Sequence, residues 1–310
     1  LLISRLLSAR LIARVFSWFC NLFTYAILYF LISSFTNSMK LKVSNLLICL
    51  VYYMLQNNVE VRSAHMKRIV NGLEAEPEQF PYQVYMEVWN TTTRKWNQLC
   101  GGTIISKKIV LTAAHCVGKR LRRLNPVTLR LSFGIIDISK KLEKGQQRMV
   151  LKKENIIINE KWSCIRNKIN DIAILKLPEQ LQFNQYIQPA KLPDPHINYD
   201  NKEAVASGWG TTGFNYNVPI KSPHLKFYRV TTMSVLFEPT KIAVINRLST
   251  ACHGDSGGPL AVSVENSVTV VGLASYNSAQ HCPKNELSYF TRVSAYLDWI
   301  KAKAGAKNLE

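Results

Sequence analysis

The C-terminal three quarters of the chain alternate between short apolar runs and polar turns. Val84, Met86 and Val88 alternate with more mixed residues, which predicts a half-buried strand. Similar short apolar runs lie at residues 103–105, 109–112, 172–177, 204–206 and 268–273. Only residues 294–304 have helical spacing, with Leu297 and Ile300 able to share one face. Many short strands with a single late helix favour an all-β sandwich or barrel.

The first 68 residues follow a different pattern. Residues 15–35 carry no charge and are long enough to span a bilayer. The segment Met39-Lys40-Leu41-Lys42 is basic and is followed by the apolar residues 46–55, a pattern typical of a secretory signal peptide. In one interpretation residues 1–38 are a non-native or untranslated leader and residues 39–63 are the signal of a secreted, extracellular protein. In the other, residues 15–35 anchor the protein to a membrane. The better-formed signal favours secretion.

Charge is unevenly distributed along the 310 residues. The formal net charge is +19, and residues 107–168 contain sixteen basic and four acidic side chains. Such a field attracts polyanions or acidic protein surfaces, although a solvated face without a partner is equally consistent with it. No nucleic-acid-binding motif accompanies this cluster, so we expect no specific nucleic-acid partner. The sequence Asn90-Thr91-Thr92 is a potential N-glycosylation site in a polar loop.

The most specific motif is Gly-Asp-Ser-Gly-Gly-Pro at residues 254–259. Its glycines permit a tight turn in which two backbone N–H groups point at one oxygen and stabilise a developing oxyanion. The motif resembles the nucleophile loop of the chymotrypsin-like serine proteases. This resemblance implies a trypsin-like fold over residues 69–310: two six-stranded antiparallel Greek-key barrels, a C-terminal helix, and an active site between the barrels.

Two further motifs fit a serine nucleophile, which needs a base and an acid that orients the base. His115 lies in Thr-Ala-Ala-His-Cys and Asp171 in Asn-Asp-Ile-Ala-Ile-Leu, and both strings resemble motifs of the same family. The order His, Asp, Ser is that of chymotrypsin. The resemblance implies that Ser256 forms an acyl-enzyme, His115 transfers its proton and Asp171 orients His115. The N–H groups of Gly254 and Ser256 would bind the oxyanion.

A dibasic pair before Ile-Val-Asn-Gly at residues 69–72 resembles the activation junction of these proteases. The resemblance implies a propeptide at residues 64–68 and cleavage after Arg68 by a trypsin-like protease. The new ammonium of Ile69 would pair with Asp255, because a buried charge needs a partner. We therefore expect an inactive precursor and an active cleaved form.

The seven cysteines are an odd number, which predicts an unpaired or intermolecular thiol in a secreted protein. By resemblance Cys100 pairs with Cys116 and Cys252 with Cys282, while Cys164 has no evident partner. Ile135 stands where some relatives carry a calcium-binding acid. We expect neither a metal nor a cofactor.

The resemblance also places the substrate pocket. Its floor would be Thr250, whereas trypsin-like specificity for basic residues needs an acid there. Its walls would be Ser275, Tyr276, Asn277 and Ser288, and the side chains of the last two should narrow it. The expectation is an elastase- or chymotrypsin-like preference for uncharged residues at P1, the substrate residue before the cleaved bond.

Two functional interpretations follow. The first is an active endopeptidase with protein or peptide substrates, subject to protein inhibitors. The second is a catalytically weak homologue that acts as a binding module for anionic partners. Such homologues usually lack a triad residue, and this chain keeps all three, which favours the enzyme.

Overall fold

The computed structural model describes residues 72–118, 121, 127–163, 169–216, 218–245, 251–265, 267–278 and 286–309. Sixteen strands and two short α-helices lie in these ranges. The strands are β1 (Leu73–Glu74), β2 (Gln83–Asn90), β3 (Lys95–Ile104), β4 (Ile109–Thr112), β5 (Thr128–Phe133), β6 (Gln147–Lys152), β7 (Ile156–Ile158), β8 (Ala173–Lys176), β9 (Glu203–Gly208), β10 (Thr211–Asn215), β11 (Val218–Lys221), β12 (Lys226–Ser234), β13 (Lys241–Ile245), β14 (Pro259–Val264), β15 (Ser267–Asn277) and β16 (Ser288–Arg292). The helices are α1 (Ala114–Val117) and α2 (Leu297–Ala304).

These strands form two large antiparallel sheets and one hairpin. The N-terminal sheet has the order β6-β5-β2-β3-β4-β8-β7. The C-terminal sheet has the order β1-β12-β13-β16-β15-β14-β9, and a further pairing of β12 with β9 closes six of its strands into a barrel. Among the described residues the N-terminal sheet has no such closing pair. Strands β10 and β11 form the separate hairpin. The predicted trypsin-like two-barrel fold is confirmed, with the C-terminal barrel closed and the N-terminal sheet forming a half-barrel within the described residues.

Each apolar run of the sequence lies in, or overlaps, a strand of this fold. The strand predicted around Val84 is β2, but the prediction that only one of its faces is buried is wrong. Val84 and Met86 are fully buried inside the N-terminal sheet, and Tyr85 on the opposite face is also buried. The reason is packing across the molecule, since the Tyr85 ring lies edge-on to Trp209 with 5.3 Å between ring centroids.

The predicted C-terminal helix is present as α2, preceded by a 3₁₀ turn over Val293–Tyr296. Leu297 and Ile300 share its buried face, as their spacing predicted. The indole of Trp299 donates a 2.9 Å hydrogen bond to Glu160, which ties the helix to the N-terminal half. No helix within the described ranges is both long and apolar enough to cross a membrane. The predicted signal peptide and the alternative span at residues 15–35 lie outside those ranges.

Candidate active site

Asp171 and His115 meet at the point where α1 faces the start of β8. The Asp171 carboxylate accepts two hydrogen bonds of 2.8 Å from His115, one from the backbone N–H and one from ring Nδ1. Asp171 is completely buried, and burial would raise its pKa. The hydrogen bonds and charge of His115, together with a hydrogen bond from Ser275, outweigh burial and lower the pKa of Asp171 below its ordinary value. The carboxylate is therefore ionised and oriented toward the imidazole.

Backbone contacts fix the loop that carries Ser256 beside this pair. Gly101 N–H donates to the Ser256 carbonyl at 2.8 Å, and Gly257 N–H donates to the Ala274 carbonyl at 2.7 Å. Gly257 has φ +74°, and a Cβ there would lie 2.2 Å from Thr112 Oγ1. Only glycine allows this close approach, which packs the serine loop against the segment leading into His115.

The other contacts expected in the site involve the Ser256 hydroxyl and the backbone N–H groups of the serine loop. Among the described residues, the Ser256 hydroxyl makes no hydrogen bond with His115. Such contacts often tighten only when substrate binds. In the same part of the chain, the N–H groups of Gly254 and Ser256 donate to no protein acceptor. Both are therefore available to an external oxygen, and Gly254 adopts the positive φ of +106° that this loop requires.

Asp255, the residue before Ser256 in the serine loop, is buried. Its carboxylate accepts hydrogen bonds from Gly210 N–H at 2.7 Å and from Cys252 N–H at 2.9 Å. Burial raises the pKa of Asp255 to about 6, although these two hydrogen bonds pull it down. A Cβ on Gly208 or Gly210 would lie 2.1 or 2.3 Å from a carboxylate oxygen, so glycine leaves room for this acid. The predicted activation residues Arg68 and Ile69 lie outside the described residues.

Disulfides hold both halves of the site. Cys100 and Cys116 are joined, with Cα atoms 6.2 Å apart, which fixes α1 and His115 to β3. Their sulfurs are thereby unavailable as thiolate metal ligands, although they cluster with His115. Cys252 is also disulfide-bonded. Its predicted partner Cys282 and the odd residue Cys164 lie outside the described residues.

The predicted pocket residues lie on β15 and β16. Asn277 Nδ2 donates a 2.7 Å hydrogen bond to the Ala251 carbonyl. Ser288 is buried and is the cross-strand neighbour of Asn277. The Tyr276 ring stacks on Tyr289 with 4.7 Å between centroids. Thr250, the predicted floor, lies outside the described residues.

The structure adds site residues that the sequence analysis did not find. Ser275, predicted only as a pocket wall, donates its hydroxyl to Asp171 Oδ2 at 2.5 Å, and Thr291 donates to the Asp171 carbonyl at 2.9 Å. Gln98 Nε2 donates to the Trp209 carbonyl at 2.8 Å and lies against Gly254. These contacts join residues more than a hundred positions apart, and no local motif marks them.

A buried aspartate hydrogen-bonded to a partly exposed histidine, beside a glycine-flanked serine and between two antiparallel β-sheets, defines the class of serine hydrolases with a trypsin-like fold. The family model described as Trypsin matches residues 69–300. The chain therefore belongs to the trypsin family and is a serine endopeptidase, a hydrolase of peptide bonds.

Its relatives include several chymotrypsins and elastases. It is 32% identical to chymotrypsin-C of Mus musculus, over 76% of this chain and 88% of the relative. It is 32% identical to chymotrypsin of Phaedon cochleariae, over 75% and 81% of the two chains. It is 31% identical to chymotrypsin-like elastase family member 1 of Canis lupus familiaris, over 75% and 91%.

Proposed function

We propose that this endopeptidase is secreted as a zymogen and cleaves after uncharged residues with Ser256, His115 and Asp171 as its triad. The hydrogen bond between Asp171 Oδ2 and His115 Nδ1 carries the proposal, because it leaves Nε2 as the imidazole atom that can accept a proton. Ser256 attacks the scissile carbonyl while His115 takes its proton, and His115 then protonates the leaving amine. Water reverses these steps to release the acyl group.

The oxyanion of each tetrahedral intermediate binds to the N–H groups of Gly254 and Ser256. Both groups lack a protein acceptor among the described residues, which supports this role. Each such donor is worth about 3–4 kcal/mol of transition-state stabilisation in comparable sites.

Activation proceeds when a trypsin-like protease cleaves the bond after Arg68 and the new Ile69 ammonium pairs with Asp255. The support is electrostatic: the Asp255 carboxyl is buried with a raised pKa, so its ionised form gains from a cation. Because Asp255 precedes Ser256, this pairing would fix the backbone of the oxyanion site.

The pocket favours small or medium uncharged P1 residues. The Asn277 side chain reaches across to Ala251, and the side chain of Ser288 lies opposite it, which leaves less room than glycine at these positions would. The predicted floor residue Thr250 offers no carboxylate to a basic substrate. The names of the relatives, chymotrypsins and elastases, are in line with the non-basic part of this preference.

The central test is active-site labelling. The purified chain is cut with immobilised trypsin, the trypsin is removed, and a biotinylated organophosphonate is added before peptide mapping. We expect label on Ser256 in the cleaved chain, little label in the uncleaved chain, and none in Ser256→Ala. Absence of label after confirmed cleavage at Arg68 would reject the triad and favour the binding-module alternative. A peptide library then reports P1, and cleavage mainly after Lys or Arg would reject the pocket assignment.

Secretion and glycosylation are tested together by expressing the chain from Met39 in a secretory eukaryotic cell. Asn90 ends β2 at a polar turn, where its Oδ1 accepts hydrogen bonds from the N–H groups of Thr92 and Thr93. We expect a mature N-terminus at Ala64 or Ile69 in the medium and a glycosidase-sensitive mass that Asn90→Gln removes. Binding of the basic residues 107–168 to heparin tests the polyanion partner.

A further inference from the structure

A buried lysine lies close to the proposed triad. Lys241, the first residue of β13, is only 1% exposed. Lysine is almost never fully buried unless its ammonium has partners. Two of those partners are the hydroxyls of Ser275 and Thr291, whose oxygens lie 3.2 and 3.4 Å from Nζ.

The strand geometry brings these three side chains together. Lys241 and Thr291 are direct cross-strand neighbours on β13 and β16. Ser275 lies at a register shift between Ala274 and Tyr276 on β15. Such bulges turn a side chain out of the regular alternation, and here the Ser275 hydroxyl is aimed at Asp171.

The chemistry of the groups fixes the direction of the hydrogen bonds. An ammonium has three donors and no acceptor, whereas a hydroxyl has one donor and two acceptor lone pairs. Both hydroxyls must therefore accept from Lys241 and keep their single proton for Asp171. The Ser275 proton goes to the Asp171 carboxylate and the Thr291 proton to the Asp171 carbonyl, at 2.5 and 2.9 Å.

Lys241 also contacts the pocket wall. Its Nζ lies 5.3 Å from the centroid of the Tyr276 ring, within the range of a cation–π interaction. The lysine is thus in contact with both the hydroxyls that hold Asp171 and an aromatic residue of the proposed pocket.

We propose that Lys241 is a positioning residue of the triad: its ammonium orients the Ser275 and Thr291 hydroxyls toward Asp171 and adds positive charge that disfavours the imidazolium of His115. This rests on the proposed catalytic role of Asp171 and His115. The role assigned to Lys241 is indirect, through the Ser275 and Thr291 hydroxyls that its ammonium contacts.

Other ionisable groups near Lys241 could also change the pH dependence of activity, so their contributions must be distinguished from that of Lys241. Burial raises the pKa of Tyr276 to about 12 and also raises that of Tyr296, which donates to Asn170 beside Asp171. Both tyrosines therefore stay neutral between pH 5 and 9. Asp255, with a pKa of about 6, titrates in the same acidic range in which activity is expected to fall. Glu238 and Arg292 flank β13. None of these residues is changed in the test.

The test compares Lys241→Met with the unmodified chain after activation, both normalised by active-site titration. Removing the cation and loosening the hydroxyls both favour protonated His115. The acidic midpoint, which is the pH at which kcat/KM falls to half of its maximum on acidification, should therefore rise by about 0.5–1 pH unit. We also expect kcat to fall about three- to tenfold. Val244→Ala, a buried change on the same strand, is the matched control and should leave the midpoint unchanged.

A double-mutant cycle tests the relay through the hydroxyls. The Ser275→Ala, Thr291→Val variant should itself have a raised acidic midpoint. Adding Lys241→Met to that variant should raise the midpoint by less than half of the rise that Lys241→Met causes in the unmodified chain. An unchanged midpoint in Lys241→Met, an equal shift in Val244→Ala, or a full additional shift in the double background would overturn the proposal. If Lys241→Met fails to fold, an unchanged midpoint in the hydroxyl variant alone is sufficient to reject it. Failure of Ser256 labelling in the unmodified chain would instead reject the triad.

Discussion

The side-chain amide of Asn277 donates a 2.7 Å hydrogen bond to the backbone carbonyl of Ala251. Asn277 ends β15, and Ala251 directly follows the predicted pocket floor at Thr250. The bond therefore spans two segments of the proposed pocket, and under that proposal it would occupy space that a large P1 side chain needs.

Asn277→Gly should enlarge the pocket. We expect kcat/KM for substrates with Phe at P1 to rise about tenfold relative to Ala at P1, since small changes in pocket contacts are worth about 1–3 kcal/mol. The measurement is a matched pair of peptide substrates that differ only at P1. Asn277→Ala removes the amide but keeps Cβ, so it should give a smaller change. An unaltered Phe-to-Ala ratio in both variants would contradict the proposed position of the pocket.

The glycines around Asp255 give a second prediction. A Cβ on Gly210 would lie 2.3 Å from the Asp255 carboxylate, which is buried and accepts the Gly210 N–H. Gly210→Ala must displace that acid, and we expect a loss of about 1–3 kcal/mol in the free energy of unfolding, with reduced labelling of Ser256 after cleavage. Gly213→Ala is the matched control, because a Cβ there meets nothing within 4 Å. Equal effects of the two substitutions would show that the space around the Asp255 carboxylate can accept a Cβ at Gly210.

Two arginine–glutamate pairs of different burial give a third prediction. Arg130 donates two hydrogen bonds, 2.7 and 2.9 Å long, to Glu87, whose side chain is 11% exposed, and lies over the Trp96 ring. Arg229 pairs with Glu203 at 2.8 Å, but both side chains are more than 60% exposed.

Arg130→Met should therefore destabilise the chain by about 2–3 kcal/mol, because it leaves a partly buried carboxylate without its cation. Arg229→Met should cost less than about 0.5 kcal/mol, as is usual for exposed pairs. Urea unfolding of both variants at neutral pH measures the difference. If the two costs agree within error, burial does not determine the strength of the Arg130 pair.

Local motifs predicted those parts of the site that are encoded by contiguous residues. The strings around His115, Asp171 and Ser256 predicted the fold, and the disulfide expected between Cys100 and Cys116 is present in the structure. Lys241 could not be recognised in this way, because nothing near it in sequence distinguishes a buried lysine from an exposed one. Its environment arises from cross-strand pairing and from the irregularity in β15, which depend on the whole barrel. For the same reason the sequence did not predict that Tyr85 is buried against Trp209.

The last prediction concerns the pH dependence of stability in the uncleaved chain. Burial raises the pKa of Asp255 from an ordinary 3.8 to about 6. Between these values the folded state holds a proton that the unfolded state has lost. The stabilising contribution is thus complete below about pH 3.8 and is lost as pH rises toward 6. The total is about 3 kcal/mol, and roughly 2 kcal/mol of it lies above pH 4.5.

The free energy of unfolding should accordingly fall by roughly 2 kcal/mol between pH 4.5 and 7.5 in the unmodified chain, relative to Asp255→Asn. The comparison cancels the opposite contribution of carboxyls with lowered pKa, such as Asp171, which destabilise the fold as pH falls. Urea unfolding across this range provides the curves. Cleavage after Arg68 should abolish the fall, because an Ile69 ammonium beside Asp255 stabilises the ionised form. Parallel curves for the two uncleaved chains would mean that burial does not raise the pKa of Asp255, and the electrostatic argument for activation would then fail.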